Sequence, residues 1–259
     1  NDLTVSYDSG CHVEGVWDIE DSWQERRDAY MKVWDACRTD RWNNSTFHRR
    51  VEPVALAEAG KVRTITKGSG LRAFLLSPLQ KSLHGALRRH RVFRLIGEPE
   101  SEEYLNEILS NSHELLQMGF MFHSGDYKAS TDGIHLQVSR WCTDSVCDIF
   151  ERRLCATYGP NSRVPGSKYT TVEYCDFMRE WFHDTLTRNI IKGKPQTRGQ
   201  LMGSKLSFPI LCLINAALCR WSMEMDQCKS IPLSSAQLAI NGDDNLHCLS
   251  RRGYWMKKD

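Results

Sequence analysis

The stretch QLAINGDDNLHCL, residues 237–249, sets two carboxylates side by side, Asp243 and Asp244, between two apolar runs. Leu238, Ala239 and Ile240 precede them, and Leu246, Cys248 and Leu249 follow. Asn241-Gly242 between such runs is a strong hairpin signal, because both residues tolerate positive φ. The acidic pair therefore falls at or just past the tip of a β-hairpin. Adjacent anions repel, and the arrangement is costly unless something cationic lies beside them. Taken alone, three such letters read as a surface turn.

A second acidic site lies upstream in HSGDYKASTDG, residues 123–133. Asp126 falls where a strand ends and a helix begins, the usual exit for ligand-binding groups. Asp132 stands six residues later at the head of the next helix, where an ordinary N-cap accounts for it equally well. If the strand and the hairpin are neighbours, Asp126, Asp243 and Asp244 pool their charge. Such a cluster suits Mg²⁺ (or Mn²⁺), which takes few protein carboxylates and keeps positions for phosphate oxygens. Two such ions serve an in-line phosphoryl displacement, and divalent charge removes the repulsion at the hairpin.

Between the acidic sites runs RGQLMGSKLSFPILCLIN, residues 198–215. Gly199 and Gly203 permit a sharp bend and close approach to a ligand. Ser204 and Ser207 offer hydroxyls at a helix entrance, with Pro209 in the first turn. The helix itself, residues 208–223, is core. Asn215 is polar in an apolar helix and needs a partner, either structural or a ribose hydroxyl. Earlier, EAGKVRTITKGSGLR, residues 58–72, puts Lys61 and Arg63 on one face of a strand, with Lys67 and Arg72 near glycines. A solvated strand face explains that pattern; an Arg fork also suits a triphosphate. The basic run RRHRVFR, residues 88–94, reads as a solvated helix end or a track for a nucleic-acid backbone.

The remaining organisation frames these motifs. At 259 residues and a net charge of +2 the chain can bury a full core and is no uniformly basic nucleic-acid binder. Its ten cysteines lack CxxC pairs, so they read as reduced and mostly buried, with zinc at Cys142 and Cys147 the lesser reading. No apolar run approaches the ~20 residues of a membrane span. Residues 18–38 read as a helix capped by Asp18, with Trp23, Tyr30, Trp34 and Cys37 as core. Residues 51–75 read as strands, Ser77-Pro78 as the start of a helix running through Leu87, and residues 101–116 as an acidic helix. The stretch LLQMGFMFHSGD (residues 115–126) reads as a strand. A long helix from Leu136 ends at Gly159-Pro160, a polar loop follows, and a further helix covers 171–187. Residues 189–202 read as strand-like, leading to the Gly-Ser turn. This order implies an α+β sheet with helices on one face. Starting without Met and stopping at Lys257-Lys258-Asp259, the chain reads as a fragment.

The wording SGDYKASTD, GQLMGSKLSFPILCLIN and NGDD, in this order, resembles the RNA-directed RNA polymerases of positive-strand RNA viruses. It looks most like the ourmiavirus-like (botourmiavirus) enzymes and, more distantly, the narnavirus group, across residues 58–249. The resemblance implies a right-hand polymerase: an antiparallel palm sheet with helices on one face, partial fingers, and no thumb. Residues 1–120 would be partial fingers and 121–259 palm core, with a fingers insertion around 157–197. Asp126 and Asp243 would be the main metal ligands and Asp244 a supporting one. Lys61 and Arg63 would grip the triphosphate. Asp132, Gly203, Ser204, Ser207 and Asn215 would handle the nucleotide sugar, although the position that usually carries the family's Asn is Leu211 here. Lys67, Arg72 and Arg198 would meet RNA. Partners would then be RNA template, RNA product and nucleoside triphosphates, in host cytoplasm or, alternatively, a mitochondrion. Because the later palm motif and thumb are missing, the piece need not be active by itself. A reverse transcriptase is the nearest alternative, set against by Asp132 where those enzymes carry a bulky side chain. A non-catalytic, polymerase-derived RNA-binding protein is the other.

Overall fold

The structure is a computed structural model that describes residues 21–43, 47–97, 99, 101–127 and 130–253. Asp18, Lys257 and Lys258, and the side chain of Trp23, lie outside them. In chain order the elements are α1 (Asp21–Asn43), β1 (Arg50–Glu58), β2 (Lys61–Lys67), α2 (Gly70–Arg88), α3 (Glu102–Asn111), α4 (His113–Gln117) and β3 (Met121–Gly125). There follow α5 (Ser130–Gly133), α6 (Leu136–Tyr158), α7 (Thr171–Leu186), β4 (Ile190–Ile191), β5 (Lys194–Pro195), α8 (Ser207–Gln227), β6 (Leu238–Asn241) and β7 (Asp244–Leu249). The chain is a mixed α+β protein that divides into two compact units, Asn1–Pro78 with Thr143–Lys205, and Leu79–Cys142 with Leu206–Asp259. Among the described residues no helix is long and apolar enough to cross a membrane.

The first unit holds a four-stranded sheet in the order β2-β1-β4-β5, antiparallel except where β1 runs parallel to β4. Strands β1 and β2 form a hairpin closed by Ala59 and Gly60, whose φ of 77° suits a residue without a Cβ. Helix α7 starts from a capping box: the Thr170 hydroxyl accepts the Glu173 N–H, and the Glu173 carboxylate accepts the Thr170 N–H. Its inner face packs against α1 through aromatic rings. Trp34 is fully buried, with the Phe177 ring edge-on at 5.2 Å and the Tyr174 ring at 4.9 Å. The expected core role of Tyr30, Trp34 and Cys37 thus has a physical counterpart, since Trp34 and Cys37 are buried and the Tyr30 hydroxyl donates to the Leu75 carbonyl.

Helix α2 departs from the sequence reading. It begins at Gly70, eight residues before Pro78, so residues 70–75 are helical rather than extended. Pro78 lies inside the helix, where its missing N–H breaks a rung of the ladder. The Ser77 hydroxyl turns back onto the Ala73 carbonyl at 2.7 Å. Burial of Leu75 and Leu76 holds the N-terminal half in place against that loss. Proline was a misleading start signal because apolar packing upstream outweighed it.

The second unit is built on a three-stranded antiparallel sheet, β3-β7-β6. Helices cover both of its faces, not one. Leu238, Ile240 and Leu249 pack with Cys212, Ala216, Cys219 and Met223 of α8, and with Val92, Phe93 and Ile96. On the other side Ala239, with Phe122 and Leu246, meets Tyr104 and Ile108 of α3. Consecutive residues Leu238, Ala239 and Ile240 are all buried, as a strand covered on both faces requires. Val92 and Phe93 are core residues, and Arg91 and Arg94 pair with Glu107, so much of the RRHRVFR run belongs to the fold. The acidic stretch 101–116 is broken at Ser112 into α3 and α4, and the strand after it is shorter than expected, starting at Met121.

Candidate functional site

The β6–β7 hairpin carries the acidic pair with a register one residue later than the letters imply. Asn241 pairs with Asp244, so the two loop residues are Gly242 and Asp243. Gly242 has φ 70° while Asp243 is not left-handed, the pattern of a type II′ turn. The Phe208 ring lies 3.1 Å from where a Cβ on Gly242 would stand, a second reason for glycine there. Asp244 is then the first residue of β7, exposed, on the face shared with Asn241 and Leu246. On that face it borders a cavity of about 330 Å³ walled by Leu95, Tyr104 and Ile108, with Ser124 and Asn241 among its polar groups.

Strand β3 pairs with β7 so that Gly125 stands opposite Asn245. The next residue on each chain is an aspartate, Asp126 leaving β3 and Asp244 entering β7. A Cβ at Gly125 would come 2.8 Å from the Asn245 side-chain oxygen, so any larger residue there must displace that buried amide. The three carboxylates therefore gather at one end of the sheet. Partial burial, and behind it the negative charges of Asp243 and Asp126, hold the Asp244 carboxyl above its ordinary value. Asp243 turns its carboxylate to the Ser130 hydroxyl at 2.9 Å, a partner 113 residues away that sequence inspection missed. All three donors are hard oxygens, the chemistry that Mg²⁺ and Mn²⁺ prefer. Among the described residues no group of three or more His, Cys, Asp or Glu side chains is already set to hold a metal ion. Mg²⁺ bound through one or two carboxylates, with water and phosphate filling its other positions, needs no such closed cage.

Helix α8 supports the hairpin from behind. Asn215 is buried, and its amide nitrogen donates to the carbonyls of Gly242 at 3.0 Å, Asp243 at 2.9 Å and Asp244 at 3.4 Å. The Cys212 thiol, pushed up to about 12 by burial, accepts the Gly242 N–H at 3.3 Å. Asn215 was a candidate for the nucleotide sugar; here its donors are spent on the main chain of the turn. Asp132 is exposed within the four-residue α5 and is not the cap of α6. That place belongs to His135, whose Nδ1 accepts the Gln137 N–H. Ser207 is buried in the first turn of α8.

The other candidates fall in the first unit. Lys61, Arg63 and Lys67 share one exposed face of β2, where Glu58 binds Arg63 at 2.8 Å and approaches Lys61 at 3.8 Å. Arg198 is exposed in the loop after β5. Arg72, expected to meet RNA, is buried instead, because the helix starting at Gly70 turns it inward. Its guanidinium donates to Asn189 Oδ1 at 3.1 Å and, at 3.4 Å, to the Asp184 carbonyl. Burial lowers its pKa to about 10, against the opposing pull of Asp184. Cys142 and Cys147, the lesser zinc reading, are both held as neutral thiols by burial, which moves them up to about 12.

Gly203 is where the Gly-Ser loop docks on β2. The Thr66 N–H and hydroxyl both donate to the Met202 carbonyl at 2.7 Å. A Cβ on Gly203, at φ 104°, would stand 2.5 Å from the Thr66 carbonyl oxygen. Ser204 lines a cavity of about 50 Å³ beside it. Gly203→Ala is expected to lower the stability of this unit by about 2 kcal/mol, from left-handed strain and a displaced hydrogen bond. Urea melts of the two proteins measure it, and amide exchange at Thr66 should quicken in the variant.

The geometry defines a class: an α+β chain whose antiparallel hairpin presents paired aspartates beside a third acid leaving the neighbouring strand. Comparison with known proteins narrows it. No family model matches the chain. It is 30% identical over 191 residues to a protein named RNA-dependent RNA polymerase from Ourmia melon virus (isolate Melon/Iran/VE9). That match takes in 73% of this chain and 22% of the viral protein, so the chain spans about a fifth of its relative's length. The chain is thus a relative of the ourmiavirus-like RNA-directed RNA polymerases, as its motifs imply. A solved structure of apo telomerase from Candida tropicalis superposes with a TM-score of 0.47 and 14% identity, over 92% of this chain and 45% of that one.

Proposed function

We propose that the chain is the catalytic core of an RNA-directed RNA polymerase that adds ribonucleotides to a growing RNA strand in viral replication. The observation that carries this reading is the gathering of Asp126, Asp243 and Asp244 at one end of the β3-β7-β6 sheet. The Ourmia melon virus relative supports it. On this reading the second unit carries palm-type chemistry. The region around 157–197, which clusters with β1 and β2 in the first unit, belongs to the fingers.

Asp126 and Asp243 would hold Mg²⁺ or Mn²⁺, with Asp244 in support. Bound there, the ions supply Lewis acidity for an in-line displacement at the α-phosphorus of a nucleoside triphosphate. The rest falls to the chain's own side chains. Lys61 and Arg63 contribute cationic donors for the triphosphate, with Glu58 holding them on one face of the strand until phosphate replaces it. Asp132, Gly203, Ser204 and Ser207 would serve the nucleotide sugar. Lys67 and Arg198 meet the RNA backbone, whose contacts weaken with salt. Arg72 has no part in this assignment.

The test is extension of an RNA primer on an RNA template, by the 259-residue chain and by a full-length polymerase that contains it. The full-length polymerase is expected to incorporate ribonucleotides with Mg²⁺ or Mn²⁺, and chelation with EDTA to stop the reaction. Preference for deoxyribonucleotides would favour a reverse transcriptase. Metal-independent RNA binding with no incorporation by either protein would favour a non-catalytic role.

A further inference from the structure

Three residues of α8 form a polar line down its buried face at spacings of three and four: Cys212, Asn215 and Cys219. An apolar helix gains nothing from such a line unless its groups are matched elsewhere. Cys212 accepts the Gly242 N–H, and Asn215 donates to the carbonyls of Gly242, Asp243 and Asp244. Cys219 donates to Asn215 Oδ1 at 3.4 Å and is itself hydrogen-bonded to the hydroxyl of Tyr127, the residue after Asp126. One helix thus grips the acidic turn by its main chain and, through Cys219, the segment that carries the third acid.

We propose that Asn215 is a positioning residue for the acidic site: it sets the main-chain course of residues 242–244 and so the placement of Asp243 and Asp244 relative to Asp126. This rests on the reading of those acids as a divalent-cation site. Three converging carbonyl dipoles repel one another; the buried Asn215 amide reaches all three, and Asn245 adds a second donor to the Asp243 carbonyl at 3.2 Å. With both hydrogens committed to the turn, Asn215 has no donor left for a ribose hydroxyl. Its effect on any bound ion acts through the residues that hold that ion, as outer-layer hydrogen bonds do at metal sites generally.

The experiment is a titration of Mn²⁺ into the 259-residue chain, read by the paramagnetic spectrum of the free ion. Asn215→Asp keeps size and the Cys219 acceptor but faces the carbonyls with oxygen. Asn215→Ser keeps a hydroxyl too short to reach them and covers the case in which the first variant does not fold. Both should bind Mn²⁺ about 10–100-fold more weakly than the parent, with faster amide exchange at Gly242. In the extension assay with the full-length polymerase both should lose kcat at unchanged KM, and the ratio of ribo- to deoxyribonucleotide use should stay as in the parent. Parent-like Mn²⁺ affinity, or a collapsed ribose preference, overturns the proposal. Asp243→Ala separates the two readings: Mn²⁺ binding that survives it removes the cation site altogether. Binding lost in Asp243→Ala but intact in both Asn215 variants removes only the role given to Asn215.

Discussion

Asp243→Ala is expected to lower divalent-dependent ribonucleotide incorporation by about 10³-fold or more, equivalent to roughly 4 kcal/mol of lost transition-state stabilisation. The reason is geometric. Asp243 sits in the two-residue loop of the hairpin, and its charge, with that of Asp126, helps to raise the Asp244 carboxyl. Removing it takes away the acid at the tip. The same change should leave the fold intact or slightly more stable. The Asp244 carboxyl stands above its ordinary value in part because Asp243 is anionic beside it, so deletion of that charge relieves repulsion. Against this stands the loss of one acceptor for the half-buried Ser130 hydroxyl, a smaller effect. A sharp fall in activity with an unchanged or raised melting temperature is the signature of charges kept for function at some expense in stability. Primer extension by the full-length polymerase and thermal melts on the same preparations measure both sides. Activity within tenfold of the parent would end the assignment of Asp243 as a metal ligand.

Much of this site was readable from local pattern. The acidic hairpin announced itself through apolar runs flanking Asn241-Gly242, because strand propensity and turn chemistry act over a few residues. The β1–β2 hairpin was equally plain, since an exposed ribbon alternates with period two and breaks at a glycine. Helices α6 and α7 followed from apolar spacing and from clear stops and caps. What escaped notice depends on which segments meet. The one-residue shift of the turn, to Gly242-Asp243, is set by pairing across β6 and β7 and by Phe208 beneath the glycine. Ser130 as a partner of Asp243, and Tyr127 as a partner of Cys219, are contacts across about ninety residues or more, invisible to periodicity. Asn215 drew attention as a polar residue in an apolar helix, but its target could be named only once the hairpin carbonyls were placed. The second helical layer over the sheet was hidden for a similar reason. Consecutive buried residues such as Leu238 to Ile240 read as an apolar run, and a run does not say what covers each face.

Arg72 supplies the second large effect, and it separates fold from function. Arg72→Met should destabilise the first unit by about 3 kcal/mol while leaving RNA affinity, per folded molecule, unchanged. The guanidinium is buried between the N-terminal half of α2 and the end of α7, where the side chain of Asp184 is buried too. Methionine preserves much of the volume but leaves the Asn189 oxygen and the Asp184 carbonyl without the Arg72 hydrogen bonds, and removes a positive charge near the Asp184 carboxylate. Arg188, 3.6 Å from the Asp184 carboxylate, is partly exposed and sequence-local, so it offsets only part of the loss. Removing a charged hydrogen-bond donor from buried acceptors costs about 1.5–3 kcal/mol, and the two acceptors left behind place this case at the upper end. Arg72→Lys should recover little, because a point charge cannot reach both Asn189 Oδ1 and the Asp184 carbonyl as the planar fork does. Lys67→Ala is the contrasting variant: on the exposed end of β2, it should change stability by less than about 0.5 kcal/mol and reduce the salt dependence of RNA binding. Denaturant melts paired with RNA titrations at two salt concentrations distinguish the two residues. If Arg72→Met proves as stable as the parent yet binds RNA more weakly, the guanidinium reaches RNA after all and its buried contacts are incidental.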